Sequence, residues 1–308
     1  MIVSIPDVWQ LAKQEHQAFI EKIADAGLAK LDDSEISSKI RKFVADNWNA
    51  IVGGNRLDLA ASIAAYEELF GNGSLRLEVS EKLSLIFDFS DFSKKSAKPW
   101  TAYKLCVAAR YKVCSYCHMV STGTCLPDED TKGYRPPIDH YYAKSEYPFL
   151  ALTLTNFIPC CEKCNGSQMK GAINFAKKHH LNPLFDDESI NFTLEPVAVA
   201  GIDIAEALAL KLDSDHYTLK LTPALGSPES TASIVTFQLE SRYKEYSGQA
   251  YHLARRLRGL NARLRMQDDA LEFATTLNDN LEFKVAEYKN APYGKARLCI
   301  AKQYGVLP

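Results

Sequence analysis

The chain has 308 residues, 46% of them hydrophobic and 24% charged, with a formal net charge of -2. That composition belongs to a folded protein with room for two or three cores, and it excludes disordered and collagen-like chains. A total charge so close to zero excludes nucleic-acid binding through overall charge, so any such signal has to be local.

The first third reads as helices. Val8, Leu11, Ala12, Phe19, Ile20 and Ile23 recur at helical spacing, with Pro6 in a first-turn position and Ser4 before it as a cap. Ile36, Ile40, Phe43, Val44 and Trp48 give a second stripe after Ser34, and Leu59, Ile63, Ala64, Tyr66 and Phe70 give a third that "GNGS" at 71–74 stops. The period then changes. Leu75, Leu77 and Val79, and after them Leu83, Leu85, Phe87 and Phe89, alternate with polar residues and predict a short β stretch. "SKKSAKPW" at 93–100 reads as a linker.

A second unit is expected over 94–195, and the remaining 196–308 reads as mixed, then helical. Strands are predicted near Tyr217–Leu221 and Ile234–Phe237, with "GSPES" as the loop between them. Helices are predicted over 240–266, 268–288 and 292–303. The expected fold class is α+β, mainly helical, around a small central core built on the cysteines described next.

The N-terminal "MIVSIPDVWQLAKQEHQ" lacks the basic and apolar regions of a signal peptide, and no apolar run approaches the roughly 20 residues that span a bilayer. The expectation is a cytoplasmic chain without membrane contact, whose thiols stay reduced. Cys106, Cys125 and Cys299 stand alone and read as small buried apolar residues, whereas five of the eight cysteines are clustered. Cys114-Ser-Tyr-Cys117 and Cys161-Glu-Lys-Cys164 are two Cys-x-x-Cys pairs, which together can supply a four-thiolate zinc site of the closed, structural kind. The register stays open: Cys160 can replace Cys161, and His118 or Cys125 can enter the shell.

Between and after the pairs stand Asp139-His140, Asn156 and Asn165, within "IDHYYAKSEYPFLALTLTNFIPCCEKCNGSQMKG". Asp139 and His140 fit a short strand, where neighbouring side chains point to opposite faces unless the strand bends. Residues 162–170 can form a helix that places Asn165 near its start. Taken singly, a histidine or a loop asparagine is most often structural. In this order, between two thiol pairs, the set resembles the HNH nucleases of the ββα-metal (His-Me finger) class. The run is similar to zinc-containing members, among them several effectors of bacterial antiphage defence. The resemblance covers about residues 105–190, including "NPLFDD" at 182–187.

The resemblance implies a zinc-clipped ββα core hydrolysing phosphodiester bonds in DNA. His140 would be the general base, Asp139 the adjacent metal-ligating acid, and Asn156 the residue that holds the loop and orients the base. Asn165 would be the second protein ligand of a catalytic magnesium or manganese ion, at a position where some members have His. The chemistry agrees. Hydrolysis of a phosphodiester needs an activated water and a cation on the developing charge. Histidine has the pKa nearest operating pH, and a carboxylate with an amide leaves coordination positions for water and phosphate. The resemblance also implies a defence-system partner such as an ATPase, or self-association. The competing reading is a non-catalytic zinc finger that binds nucleic acid or protein.

Residues 94–180 carry 13 Lys or Arg against 6 Asp or Glu, a local excess of +7. Lys112, Lys144 and Lys170 are the candidate nucleic-acid contacts beside the expected site, and "HLARRLRGLNARLR" at 252–265 is a second basic stretch. No pattern for reading bases is present.

Overall fold

The computed structural model describes residues 2–128, 132–198, 203–264 and 270–307. The described fold is mixed, mainly helical, with two small antiparallel sheets. The chain forms two compact units. One comprises Ser4–Lys112 and Thr122–Asp186; the other comprises Met1–Val3, Val113–Ser121 and Asp187–Pro308. Residues on both sides of 93/94 fall in one unit, and the chain passes to the other at 186/187. Among the described residues, no helix is long and apolar enough to cross a membrane.

The first of these units opens with α1 (Lys13–Leu28), α2 (Glu35–Asp46), α3 (Trp48–Gly53), α4 (Arg56–Phe70), α5 (Ser74–Ile86), α6 (Phe89–Phe92) and α7 (Ala102–Ala108). Local chemistry sets the starts. The Ser34 hydroxyl accepts from Ser37 N–H at the head of α2, and Asn55 with Asp58 forms a reciprocal capping box at the head of α4. The first helix starts later than its apolar spacing predicts. Ser4 is not its cap, residues 6–12 are turns, and Leu11 is 81% exposed, while α1 buries His16, Ile20 and Ala24.

The β stretch expected over 75–89 is instead α5 followed by the start of α6. The buried residues of α5, Val79, Leu83 and Ile86, follow a helical period, and Leu77 and Leu85 are 67% and 82% exposed. The alternation came from leucines on the solvent side of a helix. An aromatic cluster forms the core here: Phe43 and Tyr66 meet Phe149 with ring centroids 5.0 and 5.1 Å apart. Phe149 belongs to a 3₁₀ turn at Pro148–Leu150, so this core grips the segment that precedes Asn156.

Four further side chains hold that segment. The Trp9 indole donates to Phe157 O at 2.8 Å, and Thr153 Oγ1 donates to Ile51 O at 2.8 Å. The Trp100 indole donates to His16 Nδ1 at 3.0 Å, which makes Nε2 the protonated nitrogen, and Nε2 donates to Leu152 O at 2.7 Å. All of these groups are buried, where an unpaired donor or acceptor is costly. The unit then contributes β1 (Ile138–His140), β2 (Phe157–Pro159) and α8 (Glu162–Asn165).

The second unit holds β3 (Ile190–Pro196), α9 (Ile204–Leu208), β4 (Tyr217–Pro223), α10 (Pro228–Thr236), α11 (Leu239–Lys244), α12 (Ser247–Leu264), α13 (Ala270–Leu281) and α14 (Gly294–Gln303). β3 pairs antiparallel with β4 from Ile190↔Pro223 to Pro196↔Tyr217. The expected strand at Tyr217–Leu221 is thus part of β4. The one at 234–237 is not a strand: "GSPES" is a helix start, in which Ser227 caps Ser230 N–H and Pro228 takes the first turn of α10. The helix expected over 240–266 is divided into α11 and α12, and the expected ends at Met266 and Asp268 lie outside the described residues.

His16 supplies a pH dependence. Burial lowers its pKa to about 4 against an ordinary 6.5, because the interior favours the neutral ring. Its contribution to stability is complete above pH ~6.5 and is lost as pH falls toward 4, where the unfolded chain takes up the proton first. Thermal melts should show Tm dropping across that window. His16→Ala should remove that share of the slope and cost about 1–3 kcal/mol, since the Trp100 N–H and Leu152 C=O lose their partner.

Candidate active site and metal centre

β1 and β2 are short, with three residue pairs in register: Ile138↔Pro159, Asp139↔Ile158 and His140↔Phe157. Both side chains of interest are buried, Asp139 at 4% exposure and His140 at 7%. His140 Nε2 lies 2.9 Å from Ala151 O. A carbonyl can only accept, so Nε2 carries the proton and the lone pair is on Nδ1. The ring is held edge to face by Phe89 at 4.5 Å and Phe157 at 5.2 Å. Burial pushes the His140 pKa down to about 3, with Lys144 and Lys170 adding to the fall, so the imidazole is neutral throughout the physiological range.

Asn156 is fully buried and every bond of its carboxamide goes to backbone. Its Oδ1 accepts from Tyr142 N–H at 2.7 Å, and its Nδ2 donates to Tyr142 O and Leu150 O, both at 3.0 Å. It thereby closes the loop that returns from β1 and fixes the carbonyl of Ala151 next to it.

Asp139 pairs with a cation of the chain itself. Lys170 Nζ donates to Asp139 Oδ1 at 2.7 Å and to His140 O at 2.6 Å, and the Lys170 side chain is 3% exposed. Lys170, expected to contact nucleic acid, is therefore an interior residue here. The helix expected over 162–170 is only the single turn α8; Gly166 ends it, and turns follow to Gly171, whose φ of +45° suits glycine. Asn165 is the last residue of α8 and is half-buried, with its N–H donating to Cys161 O at 3.1 Å. Asp139, His140 and Lys170 are thus in direct contact, and Asn156 braces the loop beside them.

The Sγ atoms of Cys114, Cys117, Cys161 and Cys164 all lie within 4.8 Å of one another, and all four residues are buried. None of the eight cysteines forms a disulfide. A tetrahedral Zn–S bond of ~2.3 Å places sulfurs about 3.8 Å apart, so the donor set fits one ion with little adjustment. The first pair lies on a tight turn in which His118 N–H donates to Cys114 O at 2.7 Å and Cys114 N–H to Val120 O at 3.0 Å. The open register closes on Cys161. The neighbouring Cys160 thiol stands outside the quartet, with burial first and then Asp139 and Cys161 raising its pKa well above the ordinary range. His118 is taken up by Lys289 O and Lys295 N–H, and Cys125 is exposed. Of the lone cysteines, Cys106 is buried as expected.

The local excess of positive charge is partly matched inside the fold. Lys98 pairs with Asp91 and Arg110 with Asp7, and Lys112 Nζ donates to Cys106 O at 3.1 Å and Val107 O at 2.9 Å at the end of α7. Lys144, Lys163, Lys177 and Lys178 are exposed, with the Lys144 ammonium 4.6 Å from the centre of the Phe89 ring. In α12, His252, Arg255, Arg256 and Arg258 are exposed while Leu253, Ala254, Leu257 and Leu260 are buried, a solvated face on an amphipathic helix.

Sequence reasoning missed the pairing of Lys170 with Asp139 and the anchors Trp9, His16 and Trp100, which lie far from the site in the chain and carry no local signal. It also missed β3, although the alternation of Ile190, Phe192 and Leu194 was legible.

No known family profile matches the chain, and no solved structure does. The chain is similar to the Septu protein PtuB of Bacillus thuringiensis, with 29% identity over 107 residues. That stretch spans 35% of this chain and 37% of the Bacillus protein, so the likeness covers little more than a third of either.

Proposed function

We propose that the chain is a metal-dependent endonuclease of the HNH type, braced by a structural zinc, that acts in antiphage defence. The observation that carries the reading is the state of His140. Its Nε2–H is fixed on Ala151 O, so Nδ1 is left as a proton acceptor on a neutral ring held between Phe89 and Phe157. The similarity to a Septu protein supports the defence role.

In this reading His140 Nδ1 takes the proton from the attacking water. Asn156 contributes position alone, holding the Ala151 carbonyl that sets the ring's tautomer. Asp139 and Asn165 would hold the divalent ion, a carboxylate and an amide being oxygen donors suited to a hard cation. When bound, that ion would offset charge on the phosphoryl oxygens. The phosphate's own negative charge near His140 raises the imidazole pKa and strengthens the base. Exposed Lys144, Lys163, Lys177 and Lys178 supply backbone contacts to DNA. A partner such as an ATPase, or self-association, would control the activity.

The zinc-braced binding module remains the second reading, favoured by one observation: the Lys170–Asp139 pair neutralises the carboxylate internally, as a purely structural residue would need. Incubating the pure protein with plasmid, linear duplex and RNA, each with magnesium, manganese or EDTA, separates the two. The nuclease reading expects divalent-dependent cutting.

His140→Ala should lower cleavage by about 10²–10⁴-fold, with zinc content and circular dichroism unchanged; an unaltered rate would remove His140 from the mechanism. Because its free-enzyme pKa is depressed, the acid limb of kcat/KM should lie below pH 6.5. Elemental analysis should find zinc in the purified chain, and Cys164→Ser should lose it together with thermal stability. Full retention of zinc in that variant would exclude the quartet as its site.

A further inference from the structure

Lys170 is a full positive charge kept inside the protein. Its Nζ reaches Asp139 Oδ1 at 2.7 Å and His140 O at 2.6 Å, and lies 4.9 Å from the centre of the Phe175 ring. A tight turn delivers it. Lys170 N–H donates to Cys164 O at 3.3 Å and Gly171 N–H to Gly166 O at 3.0 Å. At Gly171, φ is +45° and a side chain would meet the Ser167 backbone at 3.1 Å. The outer part of the same turn, Ser167 and Gln168, is exposed.

We propose that Lys170 is a resident cation at Asp139, which a divalent ion has to displace in order to bind. The inference rests on the nuclease reading, in which Asp139 is a metal ligand. A buried carboxylate without a counter-charge is strongly disfavoured, so the metal-free protein needs the ammonium. A divalent ion at an oxygen ligand distance of ~2.1 Å from the same carboxylate sits within a few ångströms of Nζ, where like charges repel with little water to screen them. The two cations therefore exchange. The ammonium leaves toward solvent as the 166–171 turn opens, and the carboxylate keeps one counter-charge throughout. Metal affinity is weakened by the fraction of molecules in which Lys170 already holds the site.

The test uses the zinc-loaded full chain and manganese alone. In the unaltered protein, acetylation of Lys170 followed by mass spectrometry should be slow without manganese and should rise several-fold when manganese saturates the site. Asp139→Asn should abolish that dependence on manganese. In calorimetric titrations Lys170→Met should bind manganese at least tenfold more tightly than the unaltered chain. Lys170 that stays protected at saturating manganese, or a folded Lys170→Met that binds manganese equally or more weakly, overturns the exchange. Divalent-dependent cleavage that needs His140, found together with a protected Lys170, would overturn this inference alone. Absence of manganese binding in both proteins would overturn it and the metal ligation by Asp139 as well.

Discussion

Everything around the imidazole depends on one buried amide. Asn156 spends its hydrogen-bonding capacity on the backbone of Tyr142 and Leu150, and the loop so closed presents the Ala151 carbonyl to His140. An amide in that setting cannot be exchanged for an apolar residue of the same size, because the N–H and two carbonyls it serves would be stranded in the interior. Nor can Asp replace it, since a carboxylate has no donor for the two carbonyls. The constraint runs from one side chain to loop shape, and from loop shape to tautomer.

A second constraint is electrostatic. Three buried titratable groups meet at β1: the Asp139 carboxylate, the Lys170 ammonium and the His140 ring. The first two cancel, and the third stays neutral because burial and the nearby lysines both disfavour its protonated form. The cluster therefore carries no net charge in the interior, which is what makes its burial tolerable. The four-thiol cluster follows a different rule. Its sulfurs are brought together by chain geometry, and the adjoining Cys160, equally buried and next in sequence, is left out of reach. Proximity in the chain does not decide which thiols come together.

Spacing was a better guide than periodicity. The two Cys-x-x-Cys pairs converge as their pattern implies, and Asp139 and His140 do lie on a short strand. Secondary structure was less readable where apolar residues occupy both faces of an element. The leucines of α5 imitate a strand because two of them face water, and Ile234 reads as a strand although it lies near the end of a helix that Ser227 and Pro228 begin. Lys170 was misread for a third reason. A lysine near a polar motif ordinarily faces solvent, and only the turn through Gly171 carries this one inward. Such a reversal comes from tertiary contacts and leaves no periodic trace.

The brevity of β1 and β2 has a consequence for portability. Three residue pairs cannot hold a hairpin in water unaided. The order of this one is borrowed from Trp9, His16, Ile51 and Trp100, all belonging to the helical stretch that comes earlier in the chain. The motif is accordingly not a cassette that could be cut out at its sequence borders and grafted onto another scaffold. A transplant would have to carry the residues that anchor it as well.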